Sequence, residues 1–136
     1  MIELWHCHNT RSLRVLWALK EMQLEYTLHT LPFPPRFLDK AYLQTNPLGT
    51  VPFLKDGATT LTESSAMLLY LVERYSQTQL SLPATHPEYG AYLNWLFSSD
   101  ATLTFPQTLV LRYSQFEKPE RQQPQVVKDY AIWYLA

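Results

Sequence analysis

Cysteine, glycine and net charge are what this chain has least of. A single cysteine, Cys7, excludes an internal disulfide framework and any Cys-x-x-Cys dithiol. Three glycines leave no Gly-rich loop of the kind that cradles phosphates. A formal net charge of −1, without a basic stripe, argues against nucleic acid and against anionic membrane surfaces as partners. No apolar run reaches the ~20 residues of a membrane-spanning helix. Met1-Ile2-Glu3 opens a strand pattern rather than a signal peptide. Together these absences describe a soluble cytoplasmic protein.

What the chain does have is material for a core. Hydrophobic residues make up 46% and charged residues 17%, the balance of a globular chain and not of a disordered one. Its 136 residues suffice for one ordinary domain, or for a small domain plus part of another. Aromatics reach 14% and concentrate in the second half, where broad helical faces would bury them.

Periodicity orders these residues into elements. Ile2 to His6 alternates and reads as a strand. Arg11 to Met22 carries Leu13, Val15, Leu16, Trp17 and Leu19, a mostly buried helix with Asn9 or Thr10 as its cap. Leu24 to Leu31 alternates again, which completes a β-α-β unit with parallel strands and a right-handed crossover. The prolines at 32, 34 and 35 make Leu31 to Leu38 a loop. Asp39 to Thr45 reads as a short helix capped by Asp39.

The stretch from Asn46 to Ser65 is the richest in local signals. A Pro47-Leu48-Gly49 turn leads into Val51-Pro52. Phe53-Leu54 and the run ending at Leu61 then flank the turn Lys55-Asp56-Gly57, a hairpin signature. Thr62-Glu63-Ser64-Ser65 opens a helix to about Tyr75, with Ala66, Leu69, Tyr70 and Val72 on its buried face. A helix N-terminus carries free N–H groups and the positive end of the dipole, so it suits a carboxylate. By itself the stretch reads first as a plain capped helix after a hairpin.

The polar, Pro-punctuated segment from Ser76 to Pro87 reads as a boundary. The expected division is therefore a domain at 1–76, a linker at 77–87 and a helical segment at 88–136. Glu88 to about Phe116 is helical, with a kink or break near Pro106. Lys118 to Pro124 is a loop, and Gln125 to Ala136 starts another helix with Val126, Val127, Tyr130, Ile132, Trp133 and Tyr134. Two helices do not easily bury that much aromatic surface. The expectation is that the helical domain is partial, or that another chain covers it.

Chemistry can reside at Cys7 to Ser12 as well. A thiol or hydroxyl beside a helix N-terminus lies in the positive end of the dipole, which lowers the pKa of a thiol there. His6-Cys7-His8 has a metal-like composition, but neighbouring strand residues point to opposite faces and no second ligand group exists, so no metal is expected. Cys7 is otherwise a small buried strand-end residue, and Thr10 a helix cap.

The motifs resemble those of bacterial-type glutathione S-transferases. The residues that carry this are Asn46-Pro47-x-Gly49-x-Val51-Pro52-x-Leu54 and Leu61-x-Glu63-Ser64-x-Ala66, followed by Tyr70-Leu71-x-x-Arg74-Tyr75. Arg11-Ser12-x-Arg14-Val15-Leu16-Trp17 is similar to the family's first helix. The resemblance covers most of residues 1–76 and implies an α/β fold. That fold is a thioredoxin-like N-terminal domain, β-α-β then β-β-α around a four-stranded mixed sheet, followed by the first helices of an all-α domain. It implies a cis Val51–Pro52 bond and backbone of Val51, beside Thr50 and Pro52, on the cysteinyl part of glutathione. Glu63 would pair with the γ-glutamyl ammonium and Ser64 with its carboxylate, while Gln44 or Lys40 would reach the glycyl end. The thiol-activating group would be Thr10, Asn9 or Cys7, with Thr10 in the place of the close bacterial pattern's serine. The implied activity is conjugation of glutathione, as co-substrate, to a small electrophile by a homodimer. Two other functions are open at this stage: a thiol-disulfide or peroxide reductase working through Cys7, and a non-catalytic binding or assembly module.

Overall fold

The computed structural model describes residues 1–75 and 80–135. Part of the expected linker at 77–87 lies outside these residues, as do Ser76 and Ala136. The chain divides into two compact units, Met1–Ser81 and Leu82–Ala136.

The first unit begins with β1, Ile2–His6, whose burial alternates so that Ile2, Leu4 and His6 face the core. Helix α1, Ser12–Glu21, crosses to β2, Tyr26–Thr30. Strand β3 is Phe53–Asp56 and β4 is Thr59–Leu61. The sheet order is β2-β1-β3-β4. Strands β1 and β2 run parallel, with Leu4 opposite Leu28. Strands β1 and β3 run antiparallel, with Leu4 opposite Leu54, and β3 pairs antiparallel with β4. This is the four-stranded mixed sheet of the thioredoxin-like fold. Helix α3, Ser64–Tyr75, packs against α1. Ile2, Leu4, Val15, Leu19, Leu54, Met67 and Leu71 form the core between the helices and the sheet. On the sheet's other face, Trp5 stacks on His29 with centroids 4.4 Å apart and meets Phe53 edge-on at 5.3 Å.

The structure differs from the sequence expectations at several points, each for a local reason. Helix α1 starts one residue later than expected. Its N-cap is Arg11, which makes no side-chain cap bond; the Thr10 hydroxyl donates to the Cys7 carbonyl at 2.8 Å and accepts the Ser12 N–H at 3.4 Å. Its buried residues are Ser12, Val15 and Leu19, while Leu13 and Trp17 are 56% and 65% exposed. The Trp17 indole N–H donates to Glu21 at 2.7 Å along the helix surface. The expected loop at 31–38 contains a helical turn, α2, Pro35–Leu38, opened by Pro35 at a first-turn position where a missing N–H costs nothing. The next turn is 3₁₀, Ala41–Gln44; Asp39 still serves its start by accepting the Tyr42 N–H at 3.2 Å. The hairpin turns at Gly57, φ +60°, so Lys55 and Asp56 belong to β3. In α3 the buried residues are Ser64, Ser65, Met67, Leu71 and Val72, and Ala66 is exposed. Two X-Pro bonds are cis: Val51–Pro52, which the family resemblance implied, and Phe33–Pro34, which nothing signalled.

In the second unit, α4, Tyr89–Ser98, runs without a break into a π-helical segment Ser99–Thr104 and then into α5, Phe105–Leu111. The widened turn ends just before Pro106, which lacks the donor for an ordinary helical bond. The Thr104 hydroxyl donates to the Ser99 carbonyl at 2.5 Å within it. A second π segment, Arg112–Phe116, a 3₁₀ turn Pro119–Arg121 and α6, Pro124–Leu135, follow. Helix α6 packs on α5, with Phe105 edge-on to Tyr130 at 6.2 Å. Trp95, Phe97, Leu103, Phe105, Phe116 and Ile132 are all more than half exposed. Among the described residues no helix is long and apolar enough to cross a membrane.

Candidate functional site

A polar cleft of ≈ 70 Å³ opens where the β3 approach meets the start of α3. Arg11, Thr50, Val51, Pro52, Thr62, Glu63 and Ser64 line it. Its size suits the charged head of an amino acid rather than a whole peptide.

The approach to β3 is held from beneath. Gly49 has φ +61°, and a Cβ there would sit 2.8 Å from Leu43 and 2.9 Å from Arg36, so only glycine fits. Asn46, 1% exposed, donates from Nδ2 to the Thr50 carbonyl at 2.9 Å and accepts the Leu48 N–H on Oδ1 at 3.1 Å. The Tyr42 hydroxyl donates to the same Thr50 carbonyl at 2.7 Å. Burial pushes the Tyr42 phenol up from its ordinary pKa, so it remains a donor. Thr50 and Val51 are thereby fixed against a buried polar frame.

Helix α3 supplies the other wall. The Glu63 carbonyl accepts the Met67 N–H at 2.9 Å, which makes Glu63 the residue flanking the first turn. Its carboxylate is exposed, and Ser64 behind it is buried. Ser64 Oγ accepts from the Arg14 guanidinium at 3.3 Å across from α1. The helix dipole and the Arg14 guanidinium therefore give this end of the cleft positive character, and Glu63 gives it one negative group.

The β1–α1 junction is arranged differently. Cys7 and Ser12 are fully buried and His6 is 4% exposed. Ser12 Oγ lies 2.7 Å from His6 Nδ1 and 2.6 Å from Thr10 Oγ1. Thr10 donates to the Cys7 carbonyl at 2.8 Å. The Cys7 thiol points away, toward the Pro32 carbonyl at 3.6 Å. Burial raises its pKa, the opposite of the lowering expected beside a helix N-terminus. Asn9 is exposed in the left-handed region, φ 57°, which asparagine tolerates.

Residues 10–74 match the family described as glutathione S-transferase, N-terminal domain. The chain is 32% identical over 103 residues to glutathione S-transferase 3 of Schizosaccharomyces pombe, covering 76% of this chain and 43% of that protein. To glutathione S-transferase 1 of the same yeast it is 37% identical over 100 residues, 69% of this chain and 44% of that protein. The chain belongs to the glutathione S-transferase family. In fold it is similar to a glutathione transferase of Phanerochaete chrysosporium solved with oxidized glutathione, at 18% identity and a TM-score of 0.83, over 98% of this chain and 62% of that one. The chain thus spans less than half the length of these two yeast relatives.

Within this glutathione S-transferase domain, five of the residues singled out from sequence meet at the cleft: Thr50, Val51, Pro52, Glu63 and Ser64. Lys40 and Gln44 are exposed on and beside the 3₁₀ turn and do not line it. Nor do Cys7, Asn9 and Thr10, although Arg11 of the same loop does. Sequence reasoning missed Arg11, Arg14 and Thr62 around the cleft, and His6, Ser12, Tyr42 and Asn46 behind it. The two arginines sit in the Arg11-Ser12-x-Arg14 run, where only their place in the helix pattern was read. Cys7 to Ser12 was marked as a place for chemistry and His6 noted in a metal-like run, but nothing signalled the buried His6–Ser12 hydrogen bond, since a serine on a helix ordinarily faces water.

Proposed function

We propose that the chain binds glutathione in this cleft and activates its thiol, through the Thr10 hydroxyl, for conjugation to a small electrophile. One observation carries the reading: Val51, Glu63 and Ser64 converge with Arg11 at the N-terminus of α3. A γ-glutamyl group is a zwitterion. Glu63 offers a carboxylate to its ammonium, and the α3 terminus with Ser64 offers N–H and O–H donors to its carboxylate. The backbone of Val51 is left for the cysteinyl part, added like a strand. Yeast proteins of similar sequence carry the name glutathione S-transferase, which supports the same chemistry.

Burial of the Cys7 thiol supports Thr10 over Cys7 as the activating group. A hydroxyl that donates to a thiolate lowers the thiol's pKa by stabilising the charged form. The reading extends to a homodimer in the cytoplasm, with the electrophile as second substrate. The intact protein is expected to be retained on immobilised glutathione, and a Glu63→Ala/Ser64→Ala variant to pass through. A folded wild-type protein that is not retained overturns the reading. Retention without any conjugation across a panel of electrophiles would instead leave a binding module.

A further inference from the structure

The β1–α1 junction holds more proton chemistry than a helix start requires. Three short contacts run in series: His6 Nδ1 to Ser12 Oγ at 2.7 Å, Ser12 Oγ to Thr10 Oγ1 at 2.6 Å, and Thr10 Oγ1 to the Cys7 carbonyl at 2.8 Å. Proton counting fixes their direction. A carbonyl only accepts, so the single Thr10 proton lies on the last contact. Thr10 Oγ1 must then accept at the middle contact, which takes the single Ser12 proton. Ser12 Oγ accepts in turn from His6, which places the imidazole proton on Nδ1. The reversed chain would leave two oxygens facing each other at 2.8 Å with no hydrogen between them. It would also send the Ser12 proton to His6 or to the longer Cys7 carbonyl contact at 3.2 Å. Two backbone donors reinforce the first direction: the Cys7 N–H to Ser12 Oγ at 3.3 Å and the Ser12 N–H to Thr10 Oγ1 at 3.4 Å.

We propose that His6 and Ser12 are positioning residues that hold Thr10 as an obligate hydrogen-bond donor. The proposal rests on the reading that Thr10 serves the glutathione sulfur. Both lone pairs of Thr10 Oγ1 are occupied, one by the Ser12 hydroxyl and one by the Ser12 N–H. When a sulfur arrives, the hydroxyl has only its proton to give, shared between the sulfur and the Cys7 carbonyl. It does not accept from a thiol S–H. A group that donates and never accepts favours thiolate over thiol. Ser12 is fully buried and His6 nearly so, which keeps water from breaking the chain. His8 faces His6 edge-on, centroids 5.4 Å apart, and Cys7 adjoins it. Burial first, and His8 second, push the His6 pKa down, so the imidazole carries one proton at neutral pH.

The test is the pKa of the bound glutathione thiol, read from thiolate ultraviolet absorbance against pH on the intact protein. Thr10→Val is expected to return it to the value of free glutathione. Ser12→Ala and His6→Leu are expected to raise it by roughly half to one pH unit, the scale of one neutral hydrogen bond. His6→Asn, whose amide N–H can stand where Nδ1–H stood, is expected to restore it. A wild-type value equal to that of free glutathione defeats the proposed function and this inference together. A shift in Thr10→Val with none in Ser12→Ala or His6→Leu defeats the inference alone. Should those variants fail to fold, ¹⁵N spectra of the wild-type imidazole decide: Nδ1–H supports the chain, and an Nε2–H tautomer overturns it.

Discussion

On the Thr50–Ser64 side of the cleft, exposed groups stand on a buried frame; in the Cys7–Ser12 loop, the groups hydrogen-bonded around the Thr10 hydroxyl are themselves buried, while His8, Asn9 and Arg11 face solvent. Thr50 and Glu63 face solvent, while Asn46, Tyr42 and Gly49 beneath them are sealed. In the Cys7–Ser12 loop, Cys7 and Ser12 are sealed with the neighbouring His6, and Thr10 is half-buried. The first arrangement suits holding a charged ligand, since its groups meet the ligand directly. The second suits setting the behaviour of one hydroxyl, since its groups act on each other. Damage to the frames should therefore unfold both sides, while damage to the exposed groups should spare stability and cost affinity.

The largest effect is expected at Gly49. Gly49→Ala puts a Cβ into the Leu43–Arg36 contact at positive φ, a cost of about 2 to 4 kcal/mol. A lower midpoint in urea unfolding checks it, and an unchanged midpoint would show that the approach to β3 is not held as described. Asn46→Ala removes one of two donors to the Thr50 carbonyl and the acceptor of the Leu48 N–H, about 2 kcal/mol on the same measurement. Glu63→Gln is the contrasting case: an unchanged urea midpoint, with glutathione affinity by calorimetry about tenfold weaker. Loss of stability in Glu63→Gln would blur the distinction between the two sides.

The smallest effect is expected away from the cleft, where Asp56 of β3 accepts from Tyr75 at 2.6 Å and from Tyr70 at 3.0 Å. The Tyr75 hydroxyl, more than any other neighbour, holds the Asp56 carboxyl below its ordinary pKa, and Asp56 pushes Tyr75 up to about 12. The lowered Asp56 gives stability that is present above the unfolded carboxyl's pKa and lost as pH falls through the folded one. The raised Tyr75 gives stability that is full below pH 10 and lost as pH rises toward about 12. Both describe one bond, so they are not added. Tyr75→Phe should cost about 1 kcal/mol at neutral pH and shrink both losses, without changing glutathione affinity. A pH–stability curve that keeps its alkaline limb in Tyr75→Phe would contradict this assignment.

The contrast between the two sides also decided what the sequence made legible. Val51-Pro52 and Glu63-Ser64 were readable because their chemistry depends on turn and helix-start residues, whose types are restricted by backbone geometry. Strand β1 was readable to the residue, since period-2 alternation matches its burial. Helix α1 was misread on its buried face, because apolar character stood in for burial there. Ser12 is inside on account of its hydrogen bonds, and Leu13 and Trp17 lie outside. The cap was misplaced as well: the Thr10 hydroxyl gives its proton to the Cys7 carbonyl and takes only a 3.4 Å contact from the Ser12 N–H at the helix start, with Arg11 in the cap position. Pro35 was taken as a breaker and instead opens a helical turn; near Pro106, where a kink or break was expected, a widened turn precedes the proline and the helix continues.

The account stands most directly on the pH titration of glutathione thiolate absorbance in the intact protein, set beside Thr10→Val. It predicts that bound glutathione ionises at a lower pH than free glutathione, and that Thr10→Val abolishes the difference while the tripeptide still binds. Equal ionisation of bound and free glutathione in the wild-type protein would contradict it.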